Sequence, residues 1–141
     1  MEGRRLYAAT GLFVVAVGIL LWFLATWRGP WNAQRYAGTG LAMFGVSMVA
    51  LARYQLGRAF SVRAEAHHLV TSGLYSKIRN PIYVFGMVML AGVILVLQRP
   101  EGWLVFAAGV IAQIVRARRE ARALEAAFGD EYREYRSKTW F

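Results

Sequence analysis

The sequence predicts an all-α integral membrane protein with four hydrophobic helical spans, a polar loop between the second and third, and a helix after the fourth. Three observations predict it. Hydrophobic residues make up 57% of the 141 residues and charged residues only 18%, more apolar than a soluble domain of this size supports. The uncharged stretches are long. The 17 basic residues are unevenly distributed along the chain.

The first stretch, Leu6 to Trp27, matches the thickness of a hydrocarbon core of about 30 Å at about 1.5 Å per residue. Arg4 and Arg5 precede it and Trp22, Trp27 and Arg28 close it, an interfacial pattern. It is longer than a signal-peptide core and lacks a small-residue cleavage site, so it is read as a retained span. The second span is placed at 36–52 and the third at 81–98. The fourth, 102–118, is uncharged only from Gly102 to Val115 and continues through Arg116, Arg118 and Arg119. The whole chain, 1–141, is read as one membrane domain.

With the N-terminus inside, every Lys and Arg except Arg28, Arg35 and Arg99 falls on the cytoplasmic side. This bias predicts a multi-pass protein with both termini cytoplasmic. It also accounts for the net charge of +9 by attraction to anionic lipid, so the expected partner is the lipid bilayer and not nucleic acid. Cysteine is absent, which excludes disulfides, thiolate metal sites and a cysteine nucleophile.

Gly11 and Gly18 are seven residues apart, as are Gly38 and Gly45. Two helical turns place each pair on one face, where small residues let helices approach closely. Gly29, Pro30 and Asn32 mark a turn. The cytoplasmic loop, 53–80, is long for a compact protein, and long loops are often functional. Pro100 and Glu101 suit the start of the fourth helix. In the tail helix, 119–141, Leu124, Phe128, Tyr132 and Tyr135 form an apolar stripe that Gly129 breaks or bends.

No dinucleotide fingerprint, phosphate loop or nucleophile elbow is present. His67 and His68 are adjacent and lack the spacing of a helical metal pair, so no metal site is expected. Asn80 can cap a helix whose first residue is Pro81. Taken singly, Tyr75 and Tyr83 suit interfacial aromatics, and Arg119 with Glu120 a solvated charge pair.

Together these residues resemble a family. Gly73-Leu74-Tyr75, followed by Arg79-Asn80-Pro81 and Tyr83, is similar to the G-P-Y…R-[HN]-P-x-Y signature of the isoprenylcysteine carboxyl methyltransferases and the related phospholipid methyltransferases. Glu120, Leu124, Phe128-Gly129, Glu131-Tyr132 and Tyr135 resemble that family's tail segment. The resemblance covers roughly Ala66 to Lys138. It departs at Leu74, where proline is usual, at Asn80, where many members have histidine, and at Ala121, where a second glutamate is usual.

The resemblance implies a pocket for S-adenosylmethionine at the membrane border, between the loop and the tail helix. Leu69, Val70, Gly73, Tyr75, Arg79, Asn80, Pro81 and Tyr83 would line it, and Glu120 would approach from the tail. Arg79, Arg116, Arg119 and Glu120 are the implied catalytic residues. Tyrosine faces can hold a sulfonium and the arginines can clamp a carboxylate. The acceptor would be lipidic or isoprenoid. On the resemblance alone, carboxylate O-methylation is favoured slightly; an ionised oxygen needs no general base, whereas an amine must first lose a proton and no dedicated base is evident. A phospholipid amine N-methyltransferase and a non-catalytic membrane scaffold are the alternatives. A transporter is disfavoured, because the spans lack interior charge and paired broken helices.

Overall fold

The computed structural model describes residues 28–62 and 69–141, with the backbone alone for 58–62, together with Gly18, Leu21, Trp22 and Thr26. The chain forms two compact units, Met1–Trp31 and Asn32–Phe141. In the first, Gly18, Leu21, Trp22 and Thr26 are helical, and the Thr26 hydroxyl donates to the Trp22 carbonyl at 2.8 Å.

Among its described residues the second unit holds four α-helices: α1 (Ala33–Val62), α2 (Pro81–Leu97), α3 (Gly102–Phe128) and α4 (Asp130–Lys138). A 3-10 turn, Gly73–Ser76, precedes α2. The expected all-helical character holds among the described residues, whose strand-like pairing is a single bridge between Ile78 and Trp140.

α1 begins where Asn32 accepts a hydrogen bond from the Arg35 amide at 3.0 Å, a side-chain N-cap. Its buried positions, Arg35, Gly38, Ala42, Gly45, Val49 and Ala52, recur at three and four residues. That stripe packs antiparallel on α2. A Cβ on Gly45 would lie 2.5 Å from the Met89 nitrogen, and one on Gly38 would lie 2.8 Å from the Gly92 carbonyl oxygen. The Gly38–Gly45 pair therefore does what its spacing predicts: the backbones meet without side chains between them. Arg35, buried, donates from Nε to the Val96 carbonyl at 3.3 Å, in the last turn of α2. α2 stops at Gln98, whose left-handed backbone (φ 54°) turns the chain. Its Nε2 donates to Asn32 Oδ1 at 2.8 Å, tying the end of α2 to the start of α1.

α3 returns antiparallel along α2. Gly102 faces Ile94 and Gly109 faces Met87 and Leu90. Gly129, at φ 53° and ψ −120°, ends α3 and starts α4, the break its position suggests. Arg133 bridges this elbow, pairing with Glu125 at 2.9 Å and Asp130 at 3.1 Å. Asp130 and Glu131 in the first turn of α4, and Arg136 and Lys138 in its last, complement the helix dipole.

The four-span architecture is corrected. Among the described residues no helix is long and apolar enough to cross a membrane. α2 is apolar throughout but has 17 residues, about 26 Å at 1.5 Å each, short of a core of about 30 Å. α3 is longer, but its apolar part ends at Val115 and charges follow from Arg116. In α1 the uncharged stretch 36–52 is diluted by Gly38, Thr39, Gly40, Gly45 and Ser47. The first expected span, 6–27, lies almost wholly outside the described residues. The multi-pass topology with both termini cytoplasmic was inferred from these spans and loses that basis.

Candidate functional site

The loop ahead of α2 is held from three sides. Gly73 takes φ +63°, and a Cβ there would meet the Gln55 side chain at 2.5 Å. The left-handed backbone calls for glycine, and a side chain there would displace the Gln55 amide. Gln55, on α1, accepts the Leu74 amide at 2.9 Å, so the turn is pinned to the last third of that helix. Tyr75 is 8% exposed, and its carbonyl accepts the Tyr135 hydroxyl of α4 at 2.7 Å. On the third side, residues 139–141 run beside the loop. Trp140 donates to the Lys77 carbonyl at 2.9 Å. The amides of Arg79 and Asn80 donate to the carbonyls of Trp140 and Phe141, at 3.1 and 3.0 Å.

Arg79-Asn80-Pro81 makes the entry to α2. Asn80 occupies the N-cap position with Pro81 at the first helical turn, but its side chain makes no cap hydrogen bond. The Asn80 carbonyl instead accepts the amides of Tyr83 and Val84, at 3.0 and 3.1 Å. Its amide side chain is therefore not committed to capping. Arg79 Nε is buried and has no hydrogen-bond partner among the described residues. Two turn-forming residues thus carry polar groups that local structure does not use.

One turn into α2, the Tyr83 hydroxyl donates to Glu120 Oε1 on α3. This bond joins the two motifs that the hairpin separates in sequence. Burial and the Glu120 carboxylate push the Tyr83 phenol up to about 12, with Arg116 opposing. Burial, with the charges of Tyr135 and Glu120, pushes Tyr75 up to about 12 against the opposing pull of Arg53. Burial and Tyr132 do the same for Tyr135, opposed by Arg79. At neutral pH all three phenols are neutral donors.

Tyr75, Arg79, Asn80, Pro81, Tyr83, Arg116 and Glu120 therefore gather where α2, α3, α4 and the loop meet. Leu69 is buried and Val70 half-buried in the irregular lead-in to the turn. Arg119 is exposed, and no described contact joins it to the cluster. His67 and His68 lie outside the described residues. Gln55, Arg53 and the 139–141 segment are contributors that sequence reasoning missed. Their sole signal is a polar break, Arg53 and Gln55, in a helix that is uncharged from Tyr36 to Ala52. A shallow depression of about 290 Å³ at the other end of α2, lined by Asn32, Gln98, Arg99 and Trp103 among others, holds none of the motif residues.

The family model described as phospholipid methyltransferase matches residues 33–131, more than half of the chain. The chain belongs to the phospholipid methyltransferase family. The match opens at the first residue of α1 and closes in the first turn of α4, so it spans the loop with its motif, the hairpin, and the tail motif as far as Glu131. Membership bears out the resemblance carried by Gly73-Leu74-Tyr75, Arg79-Asn80-Pro81 and the Glu120 segment. The family is one of methyltransferases acting on phospholipid-type substrates, generally with S-adenosylmethionine as methyl donor. Comparisons with curated proteins and with solved structures return no match.

The cluster is chemically suited to that methyl donor. The unpartnered Arg79 Nε could donate to its carboxylate, and the uncommitted Asn80 amide could donate to or accept from its polar edges. The phenol rings of Tyr75 and Tyr83 suit a sulfonium, and Glu120 adds negative charge beside them.

Proposed function

We propose that the protein transfers a methyl group from S-adenosylmethionine to the headgroup of a lipid acceptor at a membrane border. The observation that carries this reading is the Tyr83–Glu120 hydrogen bond. It draws the loop motif and the tail motif of a methyltransferase family into one cluster. When bound, S-adenosylmethionine supplies an electrophilic methyl group. Arg79 and Asn80 bind its polar groups. Tyr75 and Tyr83 face its charge and exclude water, and Glu120 balances that charge until it takes a proton from the acceptor.

For the acceptor, the family's phospholipid-type substrates favour a headgroup amine. An ammonium must lose a proton before transfer, and Glu120, already accepting from Tyr83, is the carboxylate in position to take it. Carboxylate O-methylation is the second reading. It is favoured by Arg116, whose charge acts on Tyr83 and which suits an anionic acceptor. Exposed apolar side chains supply a surface for lipid: Phe44 and Leu51 on α1, and Trp103, Leu104 and Ile111 on α3, with Leu104 75% exposed.

Calorimetric titration of the purified protein with S-adenosylmethionine tests the reading. Saturable binding, weakened by Tyr75→Ala and by Glu120→Ala, is expected. A folded sample that binds no cofactor at millimolar concentration refutes it and leaves a non-catalytic scaffold. Turnover of an ethanolamine phospholipid against an isoprenoid carboxylate then separates amine from carboxylate chemistry.

A further inference from the structure

Gln113 is the one amide in the apolar run from Gly102 to Val115 of α3. It stands on the stripe that faces α2. On that stripe Gly102 meets Ile94, Gly109 meets Met87 and Leu90, and Glu120 meets Tyr83. Gln113 is four residues past Gly109 and seven before Glu120, so the helical repeat turns it to the same neighbour. Its Oε1 is buried and has no hydrogen-bond partner among the described residues. A helix that needed only packing here would carry an aliphatic residue, since an unpaired buried polar atom costs stability.

We propose that Gln113 is a specificity-determining residue for the acceptor. Its amide hydrogen-bonds the ester-bearing linker of a glycerophospholipid, between headgroup and acyl chains. The assignment rests on the methyltransferase reading above. Seven residues along α3 place Gln113 about 10 Å from Glu120, a separation of the same order as the length of a phospholipid headgroup. With the reacting headgroup at Tyr83 and Glu120, the linker falls at Gln113. Half a turn of the amide about its last bond presents either its oxygen or its NH2, so it serves an ester carbonyl as donor. An isoprenoid acceptor offers only hydrocarbon at this depth and leaves the amide unpaired.

The test compares binding of dioleoyl phosphatidylethanolamine and its dioleyl ether counterpart, which share headgroup, glycerol and two chains and differ only in the ester carbonyls. Both are titrated calorimetrically into the detergent-purified parent and Gln113→Leu, with S-adenosylmethionine titrated into the same samples. The parent is expected to bind the diester lipid about tenfold more tightly. Gln113→Leu abolishes that preference, leaves cofactor affinity unchanged and melts no lower than the parent. Gln113→Met provides the same test should the leucine variant not fold. A parent that binds cofactor but shows no lipid preference, or a preference that survives the substitution, overturns this assignment alone. A parent that binds no cofactor overturns the methyltransferase reading and this assignment with it.

Discussion

Gly92→Ala and Gly86→Ala, six residues apart on α2, are expected to move stability in opposite directions. At Gly92 the added Cβ would overlap the Ala42 amide nitrogen, 2.6 Å from the Gly38 carbonyl oxygen and 2.8 Å from the Ala42 Cα. Carbon contacts are optimal at about 3.5–4.0 Å, so α1 must retreat by roughly 1 Å. The obstructing atoms are all backbone, and no rotamer change relieves them. Overpacking of this kind costs about 1–3 kcal/mol, and the gain in helix propensity returns at most about 1 kcal/mol. At the middle of that range the net loss is about 1 kcal/mol, which lowers Tm by roughly 5 °C in a unit of this size. At Gly86 a Cβ meets nothing within 4 Å. Alanine there restricts the unfolded chain and stabilises by about 0.4–1 kcal/mol, a rise of a few degrees. Thermal unfolding followed by far-UV circular dichroism reads both. Equal stability of Gly92→Ala and the parent, or shifts of one sign at both positions, would refute the close-packed seam.

Tyr83→Phe removes the donor to Glu120 and is expected to weaken cofactor binding about tenfold, equivalent to about 1.4 kcal/mol; unchanged calorimetric affinity would show that the bond does not organise the site. Alkaline pH tests the three phenols. The folded state holds the protons of Tyr75, Tyr83 and Tyr135 at about 12 against 10.0 for a free tyrosine. The stability they lend is whole below about pH 10 and is lost as pH rises toward 12. Denaturant midpoints measured from pH 8 to 12 should fall across that window, and a Tyr75→Phe, Tyr83→Phe, Tyr135→Phe triple variant should flatten the fall. Trp140→Pro removes the donation to the Lys77 carbonyl and is expected to cost about 1 kcal/mol. Hydrogen exchange at the Arg79 and Asn80 amides should accelerate with it, and unchanged protection would mean that the 139–141 segment does not hold the loop.

Much of the fold was legible because its signals are local. The seven-residue spacing of Gly38 and Gly45 fixes a helix face. Gly129 announces a break, and Arg79-Asn80-Pro81 announces a helix start. The spans were misread because uncharged is not the same as apolar. Glycine, serine and threonine dilute α1, and the left-handed Gln98 stops α2 at Leu97. The motif residues of the site were legible through their resemblance to a family. The Gln55 clamp on Leu74, the pairing of Trp140 with Ile78 and the orphaned oxygen of Gln113 were not.

The sequence by itself determined the helical character, the glycine seam and the methyltransferase family, each carried by residues close together or by short ordered motifs. Only the tertiary structure decided that Tyr83 meets Glu120, that Tyr135 grips Tyr75 from sixty residues away, and that the Asn80 side chain does not cap its helix. The physical reason is range. Helical periodicity and turn chemistry act over a few residues. A hydrogen bond between distant residues exists only after helix packing has closed the chain between them, and no local pattern specifies which donors that closure leaves unpaired.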